Sequence, residues 1–126
     1  MKQVDDNIFV SIPSVLYEEI DAYRIKYNYK KATIFLKFYI KDFLEGRLFI
    51  DYQIYSLYVD YYGSMVQKSL RFNLKDDLEL QELLRKMVET EFSTVSNVLK
   101  RFVYCVHFAV LFEGNIHKFK QHLKKI

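Results

Sequence analysis

Two short stretches of the chain alternate with a period of two. From residue 7, Ile8, Val10 and Ile12 interleave with Asn7, Phe9 and Ser11; from residue 69, Leu70, Phe72 and Leu74 interleave with Ser69, Arg71 and Asn73. Such alternation predicts two half-buried strands. Between and after them the apolar residues recur at helical spacing. Residues 14–27 place Leu16, Ile20, Tyr23 and Tyr27 on one helix face, and Asn28 then suits a left-handed stop. From residue 31, Ile34/Phe35, Phe38/Tyr39 and Phe43 repeat every four residues up to Gly46. Tyr52, Tyr55, Tyr58 and Tyr62 give a further helical stripe, ending near Gly63.

The order then restarts. After the second alternating stretch, "KDDLELQELLRKMVETEF" opens with acidic residues, as a helix N-terminus prefers, and carries Leu80, Leu84, Met87 and Val88 as its stripe. Ser93 or Thr94 is a ready cap for the helix that follows, with Val98/Leu99, Phe102/Val103 and Val106 as its apolar positions. Gly114 stops it, and a basic amphipathic tail with Ile116, Phe119 and Leu123 on one face closes the chain. Strand–helix–turn–helix therefore occurs twice, offset by about 62 residues at the strands (7 to 69) and 64 at the later helices (34 to 98).

A lone strand with two open edges is not stable, so the two strands are expected to pair with each other. Ile8, Val10, Ile12, Leu70, Phe72 and Leu74 would then cap a helical core, and Asn7, Phe9, Ser11, Ser69, Arg71 and Asn73 would share the opposite face. A slip of one residue would bury Arg71, which specifies the register. The expected fold is mainly α with a two-stranded antiparallel β-ribbon in one compact domain, 1–126. Its parts are a first unit at 7–46, a Tyr-rich connection at 47–67, a second unit at 68–112 and a basic C-terminal helix at 113–126.

Composition supports a packed domain. Of 126 residues, 51% are hydrophobic and 17% aromatic, with three Gly and one Pro, which favours helices over many hairpins. No apolar run approaches the ~18 residues of a membrane helix and residues 1–6 do not resemble a signal peptide, so no membrane association is expected. The single Cys105 allows no internal disulfide. A reducing, cytoplasmic interior is the expected home. A net charge of +3 permits nucleic-acid binding only if it is locally concentrated.

"NIFVSIPSVLYEEIDAYRIKYNYKKATIFLKFYIKDFL" resembles the ribbon-helix-helix DNA-binding family. Ile12 and Pro13 stand at its Leu-Pro-like junction, Asn28 at its turn, and Ile34, Phe35, Phe38 and Tyr39 at the apolar positions of its second helix. Residues 69–111 look like a more divergent copy, with Asp76 and Asp77 lengthening the junction after the strand. Members of the family pair one strand from each of two subunits. The resemblance thus implies an intrachain pseudo-dimer, similar to the tandem regulators of archaeal viruses, and hence action inside an infected host cell.

What the resemblance implies for function is a transcription regulator, repressor or activator, whose partner is double-stranded DNA read in the major groove. Arg71 would be the guanine reader, Asn7 and Asn73 the adenine readers, Ser11 and Ser69 would donate or accept, and Phe9 would meet a thymine methyl. Phosphates would sit at the start of the second helix of each unit, at Lys30 and Lys31 and at Ser93 and Thr94, with Lys68 beside them. Lys30 departs from the usual hydroxyl cap. A solvated β-face and ordinary surface lysines are the plain alternatives. The Tyr-rich connection either pads the core or joins chains into dimers or arrays on DNA, and the basic tail either packs or touches DNA.

Other chemistry is not signalled. Cys105 and His107 are two apart on a predicted helix, and His117 and His122 five apart, so neither pair has metal spacing. A buried thiol and ordinary histidines are expected. The chain has no Gly-rich phosphate loop, no HExxH and no nucleophile elbow. The carboxylates at Asp5/Asp6, Glu18/Glu19/Asp21 and Asp76/Asp77/Glu79 lie at expected element starts, so neither an enzyme nor a cofactor is expected. The competing function is a protein-interaction or assembly module, antitoxin-like or viral structural, on the same fold.

Overall fold

The computed structural model describes residues 7–45, 52–91 and 93–124, without the side chains of 43–45, 52 and 91. Asp5, Asp6, Gly46, the first part of the Tyr-rich connection and the side chains of Phe43 and Tyr52 lie outside the described residues. The elements are β1 (Asn7–Pro13), α1 (Ser14–Lys26), α2 (Ala32–Glu45), α3 (Tyr52–Tyr62), β2 (Gln67–Asn73), α4 (Leu78–Glu91), α5 (Val95–Leu111) and α6 (Ile116–Lys124). A strand followed by three helices thus occurs twice. The connection and the tail, read from sequence as additions to a three-element unit, occupy matching third-helix places in this order.

β1 and β2 form one two-stranded antiparallel sheet. Its register pairs Asn7 with Asn73, Ile8 with Phe72, Phe9 with Arg71, Val10 with Leu70 and Ser11 with Ser69. The pleat puts Ile8, Val10, Ile12, Leu70 and Phe72 on the buried side, and Leu74, just past the strand, is buried with them. Each such side chain contributes about 1.5–3 kcal/mol when buried, so the register has a strong apolar bias. β1 packs on α5 and α1, β2 packs on α2 and α1, and α2 packs on both α4 and α5. Each strand is therefore covered by a helix from the other half of the chain.

Local chemistry explains the joints. Pro13 ends β1 and stands at the N-cap of α1 with φ −58° and ψ 136°, without a side-chain cap. The first amide of α1 is satisfied across the sheet end, where Ser14 N donates to Val66 O at 2.8 Å. At the other end Asn28 adopts φ 62°. Asn28 N donates to Ile25 O and Tyr29 N to Arg24 O, both at 3.1 Å, a Schellman stop with Asn in the usual glycine place. After β2 the chain needs residues 74–77 before α4 begins, and Asp77 caps that helix through Leu80 N to its Oδ1 at 3.3 Å. At the α5–α6 corner both Glu113 (φ 52°) and Gly114 (φ 70°) are left-handed, so the stop spans two residues.

The buried face of α2 is rotated from the sequence expectation. Ala32, Phe35, Leu36 and Ile40 are buried, whereas Ile34 and Phe38 are 41% and 54% exposed. The i, i+3, i+4, i+8 set meets α5 and the ribbon, and the other member of each apolar pair is left on the rim. Tyr27 likewise is exposed, beyond the α1 stripe of Leu16 and Ile20. Tyr58 and Tyr62 of α3 are fully buried, so these two tyrosines do pad the core. The basic tail packs as well: Phe119 stacks on Tyr58 with ring centroids 4.5 Å apart and meets Phe108 and Phe112 edge-on. Among the described residues no single helix is long and apolar enough to cross a membrane; α5 and α6 pass that test only together and are bent by 95°.

Candidate nucleic-acid interface

The pleat that buries one side of the ribbon exposes the other. Asn7, Phe9 and Ser11 of β1 and Asn73, Arg71 and Ser69 of β2 are all exposed, directly opposite one another in three pairs. Phe9 is 61% exposed, an aromatic side chain held in water by strand parity. Arg71 Nε donates to Asn7 Oδ1 at 2.9 Å, diagonally across the strands. This hydrogen bond orients the guanidinium and uses one nitrogen of its fork. Asn73 is tied more closely to the protein: its Oδ1 accepts from Lys75 N at 3.1 Å and its backbone carbonyl accepts from Lys37 Nζ at 3.0 Å. The ribbon is also pinned from the other half, where Ser96 Oγ on α5 donates to Phe9 O at 3.0 Å.

The flanks of the ribbon differ chemically. At the start of α2, Lys30 and Lys31 are exposed, and Lys31 O, not Lys30 O, accepts the first helical amides, from Ile34 and Phe35 at 3.2 Å. Arg24 holds the preceding turn by donating to Tyr29 O at 3.0 Å and Lys30 O at 3.2 Å. A hydrogen bond and ion pair with Asp21 at 2.6 Å hold the Arg24 guanidinium above its ordinary pKa. The start of α5 is neutral: Thr94 is the N-cap, its Oγ1 accepting from Asn97 N at 3.2 Å, and Ser93 is half-buried beside it. Lys68 pairs with Ile12 in the ladder and so shares the helix side of the ribbon. Its Nζ lies 3.8 Å from the centroid of the Tyr17 ring, a cation–π contact away from the outward face.

Between α2 and the β2–α4 turn lies an open groove of about 690 Å³, lined by Lys31, Thr33, Lys37, Lys41, Arg71 and Asn73 together with Ile34, Asp76 and Asp77. Lys41 Nζ is paired with Asp77 Oδ1 at 2.9 Å. Thr33, Lys37 and Lys41 are not singled out by the sequence. Lys37 and Lys41 sit four apart on α2, a spacing visible in sequence, but their approach to β2 depends on how the halves pack.

No protein-family model, curated protein or solved structure matches this chain. The ribbon and its flanks therefore carry the functional reading by themselves.

A second polar constellation is buried. His107 of α5 is fully buried, with Nδ1 2.7 Å from Tyr58 Oη and Nε2 2.8 Å from Glu19 Oε2. The arrangement that satisfies all three groups has Nε2 donating to Glu19 and Nδ1 accepting from the tyrosine hydroxyl. Burial lowers the pKa of His107, with Glu19 opposing the shift and His122 adding to it. His122 Nε2 of α6 faces Glu19 Oε1 at 3.6 Å, and neither it nor the buried Tyr62 Oη has a hydrogen-bond partner. Burial also raises the phenol pKa of Tyr58 and Tyr62, and that of Tyr104 to about 12. His107 is thus a core histidine engaged at both ring nitrogens, a setting that its spacing from Cys105 did not reveal; Cys105 is a buried thiol. Among the described residues no group of three His, Cys, Asp or Glu side chains is placed to hold a metal ion.

Proposed function

We propose that this protein is a sequence-specific double-stranded DNA-binding transcription regulator, built as a tandem ribbon-helix-helix pseudo-dimer within one chain, that inserts its ribbon into the major groove. The observation that carries the reading is the ribbon itself. Both strands come from one chain, pair in antiparallel register, and leave Asn7, Phe9, Ser11, Ser69, Arg71 and Asn73 exposed on one face. A two-stranded ribbon fits the major groove, and this face offers a guanidinium, two carboxamides, two hydroxyls and an aromatic ring to base edges. The crossed packing of each strand on the other half's helix is what an internal dimer of two units requires. Lys30 and Lys31 on one flank and Ser93 and Thr94 on the other would position the backbone.

Selection of bound fragments from a random duplex library tests the reading. Recovery of a recurrent site bound by one chain per site is the expected outcome; absence of duplex binding even at low salt sinks it. Exposed apolar side chains at the α1–α2 corner, Tyr27 and Phe38 among them, favour a second reading as a protein-interaction module. Pull-down dependent on Phe38 but not on Arg71 would support that reading instead.

A further inference from the structure

We propose that the groove between α2 and the β2–α4 turn is a phosphate seat held by Lys31 and Lys37, and that it anchors the DNA backbone beside the ribbon. The DNA source of that phosphate rests on the function proposed above; the phosphate chemistry rests on the groove.

Charge comes first. Four cationic side chains, Lys31, Lys37, Lys41 and Arg71, line the groove against Asp76 and Asp77. Asp77 is already engaged, accepting from Leu80 N at the head of α4 and pairing with Lys41. Lys31, Lys37 and Arg71 thus face a single further carboxylate across an open space of about 690 Å³. Lys37 is positioned rather than loose, since its Nζ lies 3.0 Å from Asn73 O at the end of β2. An ammonium held by one carbonyl keeps two N–H donors for an incoming oxygen.

Position comes second. Arg71 and Asn73 line the groove and also belong to the outward face of the ribbon. Phosphates border the major groove, so a duplex seated on the ribbon brings one backbone alongside this rim. The opposite flank is built differently. At the start of α5 stand Thr94, Ser96 and Asn97, with the Ser96 hydroxyl donating to Phe9 O and the Thr94 hydroxyl spent on capping, and Lys100 and Arg101 follow on α5 where Lys37 stands on α2. The two flanks thus differ at their helix starts, where α2 has Lys31 and α5 has Thr94.

The test uses the full chain, ¹⁵N-labelled, with a 20-base-pair duplex of arbitrary sequence and, separately, inorganic pyrophosphate. The expected result is that duplex shifts the Thr33, Ile34 and Lys37 amides. The log–log salt slope of binding is also expected to fall by about 0.9 in the Lys31→Gln/Lys37→Gln variant, as for one phosphate no longer neutralised, while Lys86→Gln on α4 retains the full slope. If duplex binds and the double variant keeps the wild-type slope, the seat is overturned and the DNA reading survives. If pyrophosphate moves those amides and duplex shifts no amide of the chain, the seat stands for a free phosphorylated ligand and the DNA reading falls. If neither probe moves them, the seat is overturned whatever else the ribbon binds.

Discussion

Arg71 and Asn7 act as one unit. The guanidinium is oriented by the Asn7 carboxamide at 2.9 Å, so its fork is presented to solvent in a defined direction before any ligand arrives. Pre-orientation of this kind lowers the entropy cost of forming a bidentate pair with guanine. Arg71→Ala is expected to cost about 1–3 kcal/mol of discrimination at one guanine position, read as competition between matched and mismatched duplexes. Asn7→Ala should weaken the same discrimination in part without changing the salt slope; an effect spread evenly over all duplexes would contradict the arrangement. Tyr62 is the contrasting case. Its hydroxyl is buried without a partner, so removing it relieves an uncompensated desolvation. Tyr62→Phe is expected to leave stability unchanged or raise it by about 1 kcal/mol in urea unfolding. A clear destabilisation would mean the hydroxyl is satisfied in solution.

At the level of elements, the joints decide which helices exist where. The α1 stop depends on Asn28 at φ 62°, a conformation that Gly enters without strain and a branched side chain enters at high cost. Asn28→Gly should therefore be neutral within about 0.5 kcal/mol, and Asn28→Val should destabilise by about 1–2 kcal/mol, measured by thermal melts of both variants. Equal behaviour of the two would show that the turn relaxes. This stop was legible in the sequence, because Asn is the non-Gly residue that visits the left-handed region and it follows a helical stripe. The rotation of α2 was not legible. "IFLKFYI" offers apolar residues all round the helix, and which of Ile34, Phe35, Leu36 and Phe38 turn inward is set by the partners that α2 meets. Gly63 shows a different kind of limit: a Cβ there would run into the Val59 carbonyl oxygen, a close approach that no spacing rule reports.

The whole molecule is held together by interactions that cross from one half to the other, and the His107 node is one of them. Glu19 of α1, His107 of α5, Tyr58 and Tyr62 of α3 and His122 of α6 converge in the core. Because burial lowers the folded-state pKa of His107, the unfolded chain takes up its proton first as pH falls. The stability that this group contributes is complete above about pH 6.5, its ordinary unfolded value, and is lost as pH drops from there toward the folded pKa. Urea midpoints measured from pH 8 to pH 5 should fall on the acid side of 6.5, and the His107 ring resonances should titrate with a midpoint below that value. A midpoint above it would reverse the sign of the linkage.

The sequence alone settled what depends on local periodicity. It determined the two alternating strands, their inward and outward sets, the doubled order of strand and helices, and the helix stops at Asn28 and Gly114, since these follow from side-chain spacing and backbone preference along a few residues. Apart from the pairing of the two strands, which their alternation already called for, tertiary structure decided what distant segments meet. The meeting of Glu19, His107 and His122, the groove that joins Lys37 to Asn73, the approach of Lys68 to Tyr17 and the burial of Tyr58 and Tyr62 all join residues far apart in the chain. A spacing pattern places a residue on a face of its own element; only packing of one half against the other determines what that face touches.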